Sequence, residues 1–66
     1  MKLQIDRQAD ALYLKLDETQ IVESEEAAPG VILDYNEAGV VVGVEFLGLS
    51  QRSPNFNFND LQIPTA

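Results

Sequence analysis

The sequence predicts a small, mainly β protein built as an antiparallel β-meander of four to five strands. Three observations favour this fold class. Residues 2–16 contain two runs in which every second side chain is apolar, which is the period of a β-strand. Residues 29–47 contain two further β-type runs around a turn that is rich in Asn and Gly. The second of these runs is apolar on both faces, and such a strand needs cover on both sides.

The length of the chain limits the core that it can form. A chain of 66 residues allows one domain and buries only about 60 % of its unfolded surface, so a monomer is marginally stable. Disulfides, a bound metal and oligomerisation are the usual supports. The chain has no Cys and no His, which excludes disulfides and removes the commonest metal ligands. We therefore expect a homodimer with no metal site and no cofactor.

The first two runs form a predicted hairpin. Leu3 and Ile5 share one face of the first strand, and the leucines of residues 11–16 share one face of the second. Leucine at every second position fits a period of 2, although propensity alone leaves a helix open for the second run. Asp6 and Asp10 flank the polar connection, where we interpret them as acceptors for nearby backbone amides.

Residues 23–28 have two interpretations. Ile21 and Val22 begin a strand pattern, whereas the Glu and Ala residues that follow favour a helix. We predict an irregular edge strand, whose charges discourage the addition of foreign strands. A helical turn stays open as the alternative, and it would make the fold a small β-rich α+β one. Pro29 ends this element because it cannot donate a ladder hydrogen bond.

The second hairpin contains the longest predicted strand. Residues 31–35 form its first strand, residues 36–39 its connection and residues 40–49 its second strand. Gly39 is available for the positive φ that such a turn needs. Gly43 leaves room for a neighbouring side chain or backbone to approach the long strand closely.

The predicted domain covers residues 1–50, and residues 51–66 form a C-terminal tail. The tail alternates aromatic and amide side chains, so it is either a mobile terminus or a strand that docks on the domain or across a dimer. Four apolar side chains favour docking: Phe56, Phe58, Leu61 and Ile63. The predicted dimer interface forms over the long strand and the tail, with Val42, Val44, Phe46, Phe56 and Phe58 as its candidate residues.

The charge of the chain restricts its partners. Eleven acidic residues against four basic ones give a net charge of -7. This charge argues against binding to nucleic acid or to an anionic membrane surface, because both are polyanions. It is compatible with a basic protein partner, although solubility is the simpler explanation. The N-terminus does not resemble a signal peptide and no stretch approaches membrane-spanning length, so we expect a cytoplasmic protein.

Carboxylates and tyrosines are the only material for a polar site. Asp34 and Glu45 each interrupt an apolar strand, and with Tyr13 they form the candidate polar site. Hairpin closure through residues 36–39 would place Asp34 opposite residue 41, distant from Glu45. A solvent-facing position or an ion pair is the favoured explanation for both carboxylates. The cations available for such a pair are Lys2, Lys15 and Arg7.

An enzyme is disfavoured by the residue types present. A nucleophile and a base cannot be paired without His or Cys, so no catalytic residue is predicted. The glycines lie in turns and strands and form no phosphate-binding loop.

The order of these sequence pieces resembles DUF2283, a small bacterial family of unknown function. The resemblance is carried by Asp6 with residues 9–16 (ADALYLKL), by residues 29–35 (PGVILDY) and by residues 39–50 (GVVVGVEFLGLS). It covers residues 2–50 and implies a small β-rich single domain with no established activity. Some members of that family lie beside genes for small toxin-like proteins, so the resemblance implies an antitoxin role for some of them. This chain departs from the family pattern after Ser50.

Two hypotheses for function follow. The first is a protein-interaction module, of which an antitoxin-like neutraliser of a basic partner is one form. The second is a small ligand-binding domain or enzyme whose site forms at a homodimer interface and uses Asp34, Glu45 or Tyr13. The first is favoured because catalysis would have to be built from carboxylates and tyrosines alone.

Overall fold

The computed structural model describes residues 1–60 and contains one antiparallel sheet of five strands. The strands are β1 (Lys2–Asp6), β2 (Ala11–Lys15), β3 (Glu23–Ala28), β4 (Val31–Tyr35) and β5 (Val41–Leu47). A short helix, α1 (Leu49–Arg52), and a 3-10 turn, Phe58–Asp60, follow the last strand. The predicted mainly β, antiparallel fold is confirmed. Residues 23–28 form a strand and not the alternative helical turn.

The strand order in the sheet is β1-β2-β5-β4-β3. The β1–β2 hairpin and the β3–β4–β5 run keep sequential neighbours, but β2 pairs with β5 instead of β3, so the sheet is not the simple meander that the sequence predicts. The connection from β2 to β3 passes the ends of β5 and β4. Along it, the amides of Leu16 and Asp17 donate to the Val42 carbonyl, at 2.8 and 3.2 Å, and the Val22 amide donates to the Tyr35 carbonyl at 2.9 Å. As a result β5 is the central strand, and β1 and β3 are the two edges.

The hairpin turns contain residues that suit their backbone geometry. In the β1–β2 turn the Ala9 amide donates to the Asp6 carboxylate at 3.0 Å, as predicted. Gly30 in the β3–β4 turn and Gly39 in the β4–β5 turn adopt φ values of 74° and 78°. Positive φ is cheap for glycine and strained for other residues, so the role predicted for Gly39 is confirmed.

A bulge interrupts the pairing of β4 with β5. Asp34 lies opposite Gly43 and Tyr35 lies opposite Val41, which leaves Val42 as an extra residue on β5. The predicted pairing of Asp34 with residue 41 is therefore wrong by two residues. The connection includes Val40 and pairs Tyr35 with Val41, which shifts the register by one residue, and the inserted Val42 shifts it by another. Val42 is only 1 % exposed and forms the centre of the small core.

Helix α1 closes one end of the sheet. Leu49 is 7 % exposed, and its amide donates to the Asp10 carbonyl at 3.0 Å. The amide and hydroxyl of Ser50 donate to the Asp10 carboxylate, at 3.0 and 2.7 Å. Arg52 donates to the Pro29 carbonyl. The helix thus connects the β1–β2 turn with the β3–β4 turn, and Asp10 caps this helix instead of its own turn.

No second layer covers the sheet within residues 1–60. The extensive contacts between elements run only between adjacent strands. The buried apolar residues of this part are Ala11, Val42 and Leu49. A stable domain ordinarily packs two layers around its core, so one face of this sheet lacks its usual cover. Among these residues no helix is long and apolar enough to cross a membrane.

Candidate functional site

Strand alternation gives the sheet an apolar face and a polar face, because successive side chains of a strand point to opposite sides. Residues directly opposite each other on neighbouring strands share a face. The apolar face consists of two rows that cross β1, β2, β5 and β4. The first row is Leu3, Leu14, Val44 and Leu33, and the second row is Ile5, Leu12, Phe46 and Val31. On β3 these rows end at Glu25 and Ala28.

None of the eight residues in these rows is buried in the single chain. Ile5, at the β1 edge, is 40 % exposed. The predicted interface residues Val44 and Phe46 lie at the centre of this face, on the middle strand. Val42, another predicted interface residue, is 1 % exposed and has no surface left for a partner. Within residues 1–60 no second layer covers the apolar face, on which Val44 and Phe46 are partly exposed whereas Val42 is buried.

A hydrogen-bonded cluster crosses the polar face. The Tyr13 hydroxyl donates to Oδ2 of Asp34 at 2.8 Å, and the Ser24 hydroxyl donates to Oδ1 of Asp34 at 2.6 Å. The strand between Tyr13 and Asp34 carries Gly43 at this position, and a Cβ there would overlap the Tyr13 hydroxyl and lie 3.1 Å from the Asp34 carboxylate. The absence of a side chain at Gly43 lets β2 and β4 join across β5, which is the close approach that the sequence predicts at this glycine.

The surroundings of Asp34 differ from the solvent-facing or ion-paired position that the sequence favours. Asp34 is 9 % exposed, so it is not solvent-facing, and its partners are two hydroxyls and no cation. Lys15, one of the cations considered, pairs with Glu18 at 3.0 Å instead. The hydroxyls satisfy the carboxylate because each of its oxygens accepts one hydrogen bond. The strand order places two hydroxyl donors beside Asp34, and the sequence alone does not predict this order.

The electrostatics of the cluster act on Tyr13. Its hydrogen bond to Asp34, then burial, then the negative charges of Asp34 and Glu45 raise the pKa of Tyr13 to about 12. Glu45 lies directly opposite Tyr13 in the β2–β5 register. The three candidate residues of the polar site are thus neighbours within one chain. A tyrosine with a raised pKa stays protonated at neutral pH and can donate a hydrogen bond, but it is a poor base there.

An open groove of about 710 Å³ lies beside the cluster on the polar face. Its walls include Tyr13 and Glu45 from the strands and Arg7 from the β1–β2 turn. The walls of the groove therefore carry a positive charge from Arg7, a negative charge from Glu45 and the hydroxyl of Tyr13. Within residues 1–60 no group of three or more carboxylates is arranged to hold a metal ion.

The described part of the C-terminal tail contacts the β1–β2 turn of the same chain. The rings of Phe56 and Phe58 meet edge to face with centroids 5.0 Å apart. The Arg7 guanidinium lies 5.3 Å from the centroid of the Phe58 ring and also donates to Asn59 at 3.1 Å. Both predicted tail aromatics thus have partners within the chain. The predictions for Leu61 and Ile63 concern positions outside the described residues.

Strand β3 forms an acidic edge of the sheet. All six of its residues are exposed, and the glutamates among them occupy three positions. Glu23 and Glu25 lie on the side of the apolar face, and Glu26 lies on the polar face, opposite Ile32. No strand within the described residues pairs with the outer backbone groups of β3. The edge therefore combines free hydrogen-bonding groups with negative charge on both sides.

Two polar positions were missed by sequence reasoning. Ser24 and Ser50 both donate to aspartates that lie far from them along the chain. Neither serine has a local sequence signal for its contact. The partner of Ser24 is determined by the strand order, and the partner of Ser50 is determined by the position of α1. Asp10 and Ser50 are both among the residues that carry the resemblance to DUF2283, and this was the available signal for their contact.

The comparisons with known proteins identify one family. The family model for DUF2283, described as a protein of unknown function, matches residues 2–50. The match covers all five strands and reaches the first turn of α1, where Ser50 binds Asp10. No curated protein and no solved structure matches the chain.

Proposed function

We propose that this chain, which belongs to the DUF2283 family, is a protein-interaction module that binds a basic protein partner. The observation that supports the proposal is the acidic edge formed by β3, whose residues are all exposed. An unpaired edge strand is a template for another strand, and side chains on its two faces select what is added.

The charge of the edge determines which strand is accepted. The β3 strand of a second copy would place its own glutamates beside those of this edge, so the addition of β3 to β3 is opposed by local repulsion. A segment with Lys or Arg at alternate positions meets Glu23 and Glu25 on one face, and a further basic residue between two of these positions meets Glu26 on the other face. The negative field of the whole chain also accelerates the encounter with a basic protein, and this effect weakens with salt.

An antitoxin-like role is the specific form of this proposal. A basic toxin whose active surface is covered by the acidic edge would be neutralised without any chemistry by this chain. Such an encounter would take place in the cytoplasm, where a chain without Cys needs no oxidising environment to be stable.

A charge-matched pair of variants tests the proposal. We expect Glu23→Gln, Glu25→Gln and Glu26→Gln together to abolish capture of the basic partner from a lysate at low salt. The control replaces three acidic residues elsewhere on the surface, Glu18→Gln, Glu37→Gln and Asp60→Asn, so both variants lose the same charge. Mass spectrometry identifies the partner, and co-expression measures whether a toxic partner is neutralised.

The outcome that contradicts the proposal is equal capture by both variants, because net charge alone would then explain binding. A partner that is toxic alone and is not rescued by the wild-type chain would contradict the antitoxin form only.

A ligand-binding site on the polar face is the second candidate, and the groove beside Tyr13 and Glu45 supports it. The double variant Asp34→Asn, Glu45→Gln removes its two carboxylates while the hydrogen-bonding shape is largely kept. A small polar ligand that raises the melting temperature of the wild type should have no effect on the double variant. Full retention of ligand binding by a folded double variant would exclude this candidate.

A further inference from the structure

The apolar face offers a surface that residues 1–60 of the chain do not cover. Its eight side chains lie in two uninterrupted rows across four strands, and all eight keep exposed surface. Neither row contains a charged or polar side chain between β1 and β4.

The dimensions of the face fit a small dimer. Five strands spaced about 4.8 Å apart give a width of about 24 Å, and five residues give a length of about 17 Å. Two such faces in contact cover on the order of 800 Å² when both chains are counted as flat surfaces. Because the side chains make the surface uneven, the buried accessible area rises toward the ~1,000 Å² of a specific interface. A second copy supplies a face of the same size and the same apolar character.

The acidic residues of β3 select the orientation of the two copies. On the apolar side Glu23 and Glu25 mark the β3 edge, whereas Leu3 and Ile5 mark the β1 edge. A twofold axis perpendicular to the strands would stack β3 on β3 and bring the glutamates of both copies together. A twofold axis parallel to the strands stacks β3 on β1, which keeps like charges apart.

We propose that two copies of this chain pack face to face through the apolar face, with the twofold axis parallel to the strands. Val44, the middle residue of the middle strand, then lies over Val44 of the partner subunit. Glu25 lies over the β1 edge near Leu3 of the partner subunit. Sheets packed in this way stand about 10 Å apart, and the outer edge of β3 stays free.

Sedimentation of neighbouring variants tests the dimer. The wild type should sediment with twice the 7.3 kDa mass of one chain. Ile5→Asp places a charge on the apolar face and should give a monomer, whereas Gln4→Asp places the same charge one residue away on the polar face and should leave a dimer. Both positions are exposed, so neither variant removes core packing. A wild type that stays monomeric up to millimolar concentration would overturn the proposal.

Cross-linking tests the orientation, and the absence of native Cys removes any background. Val44→Cys should be linked to its partner copy by a bis-maleimide with an arm of about 10 Å, since that is the distance between packed sheets. A mixture of Leu3→Cys and Glu25→Cys chains should give mixed dimers. Each of these chains carries a single cysteine, so every link joins two chains.

Two results would contradict this arrangement. Efficient linking of Glu25→Cys chains to each other, without mixed dimers, would indicate the perpendicular twofold axis. Failure of Val44→Cys to form any linked dimer would exclude face-to-face packing.

Discussion

At the residue scale, Gly43 controls the approach of side chains from β2 and β4, two strands that are not neighbours in the sheet. A Cβ at this position would lie 2.9 Å from Cζ of Tyr13 and would overlap its hydroxyl. We expect Gly43→Ala to displace the Tyr13 ring, break its bond to Asp34 and lower the free energy of unfolding by about 1–3 kcal/mol. Urea unfolding measures the loss.

A double-mutant cycle isolates this contact. In a Tyr13→Ala background the ring is absent, so Gly43→Ala should cost clearly less than in the wild type. An equal cost in both backgrounds would place the strain in the β5 backbone and contradict the contact between Gly43 and Tyr13.

Tyr13 also gives the molecule a pH dependence in alkali. Its pKa of about 12 in the folded chain lies above the ordinary value of about 10, so folding favours the neutral phenol. This contribution to stability is fully present below pH of about 10 and is lost as the pH rises from about 10 to about 12. We expect Asp34→Asn to lower the pKa of Tyr13, as measured by the ultraviolet absorbance of tyrosinate.

The titration needs a control because Tyr35 also ionises. Burial and the neighbouring Glu25 raise the pKa of Tyr35 as well. Tyr13→Phe leaves only the Tyr35 signal, and subtraction assigns the remaining midpoint. A Tyr13 midpoint that Asp34→Asn does not move would contradict the link between the two side chains.

At the scale of elements, the hydrogen bonds of Asp10 hold α1 against the β1–β2 turn. Asp10 has a φ of 54°, so the test keeps residues that tolerate positive φ. We expect Asp10→Gly, which loses the bonds to the Ser50 amide and hydroxyl, to lower the free energy of unfolding by about 1–2 kcal/mol, in the range of lost hydrogen bonds to a charged group.

Asp10→Asn is the matched variant, because it keeps one acceptor oxygen and should lose less. Hydrogen exchange at the Ser50 amide reports the same contact locally. Unchanged exchange in Asp10→Gly would show that the carboxylate does not hold the helix.

The sequence patterns predicted the strands, but they did not predict the order of the strands in the sheet. The alternation of Leu12 and Leu14 and the glycine at position 39 are local signals, and both elements formed as expected. The pairing of β2 with β5 depends on the connection formed by residues 16–22, which has no sequence pattern that fixes its path. The Tyr13–Asp34 contact follows from that pairing, so the residues of the cluster were predicted individually while their contact was not.

At the scale of the whole molecule, a net charge of -7 on 66 residues opposes compactness by self-repulsion. Raising salt from about 10 mM to about 1 M shortens the screening length from about 30 to about 3 Å. We expect sodium chloride to raise the midpoint of urea unfolding of the chain, whereas it should weaken capture of a basic partner.

The variant with Gln at positions 23, 25 and 26 is the control for this salt response. It has three fewer negative charges, so its unfolding midpoint should rise less with salt. An equal rise would point to a general effect of salt on apolar burial and not to charge repulsion.

The central position of β5 has a consequence for protein synthesis. β5 is the last strand of the sheet to leave the ribosome, yet it is the one that joins the β1–β2 and β3–β4 hairpins. Isolated two-stranded hairpins are marginally stable in water, so the nascent chain has no stable structure until this strand has emerged. Folding is thus delayed until the sheet has been translated almost completely, and a ribosome that stalls before Val41 would release a fragment that proteases can degrade.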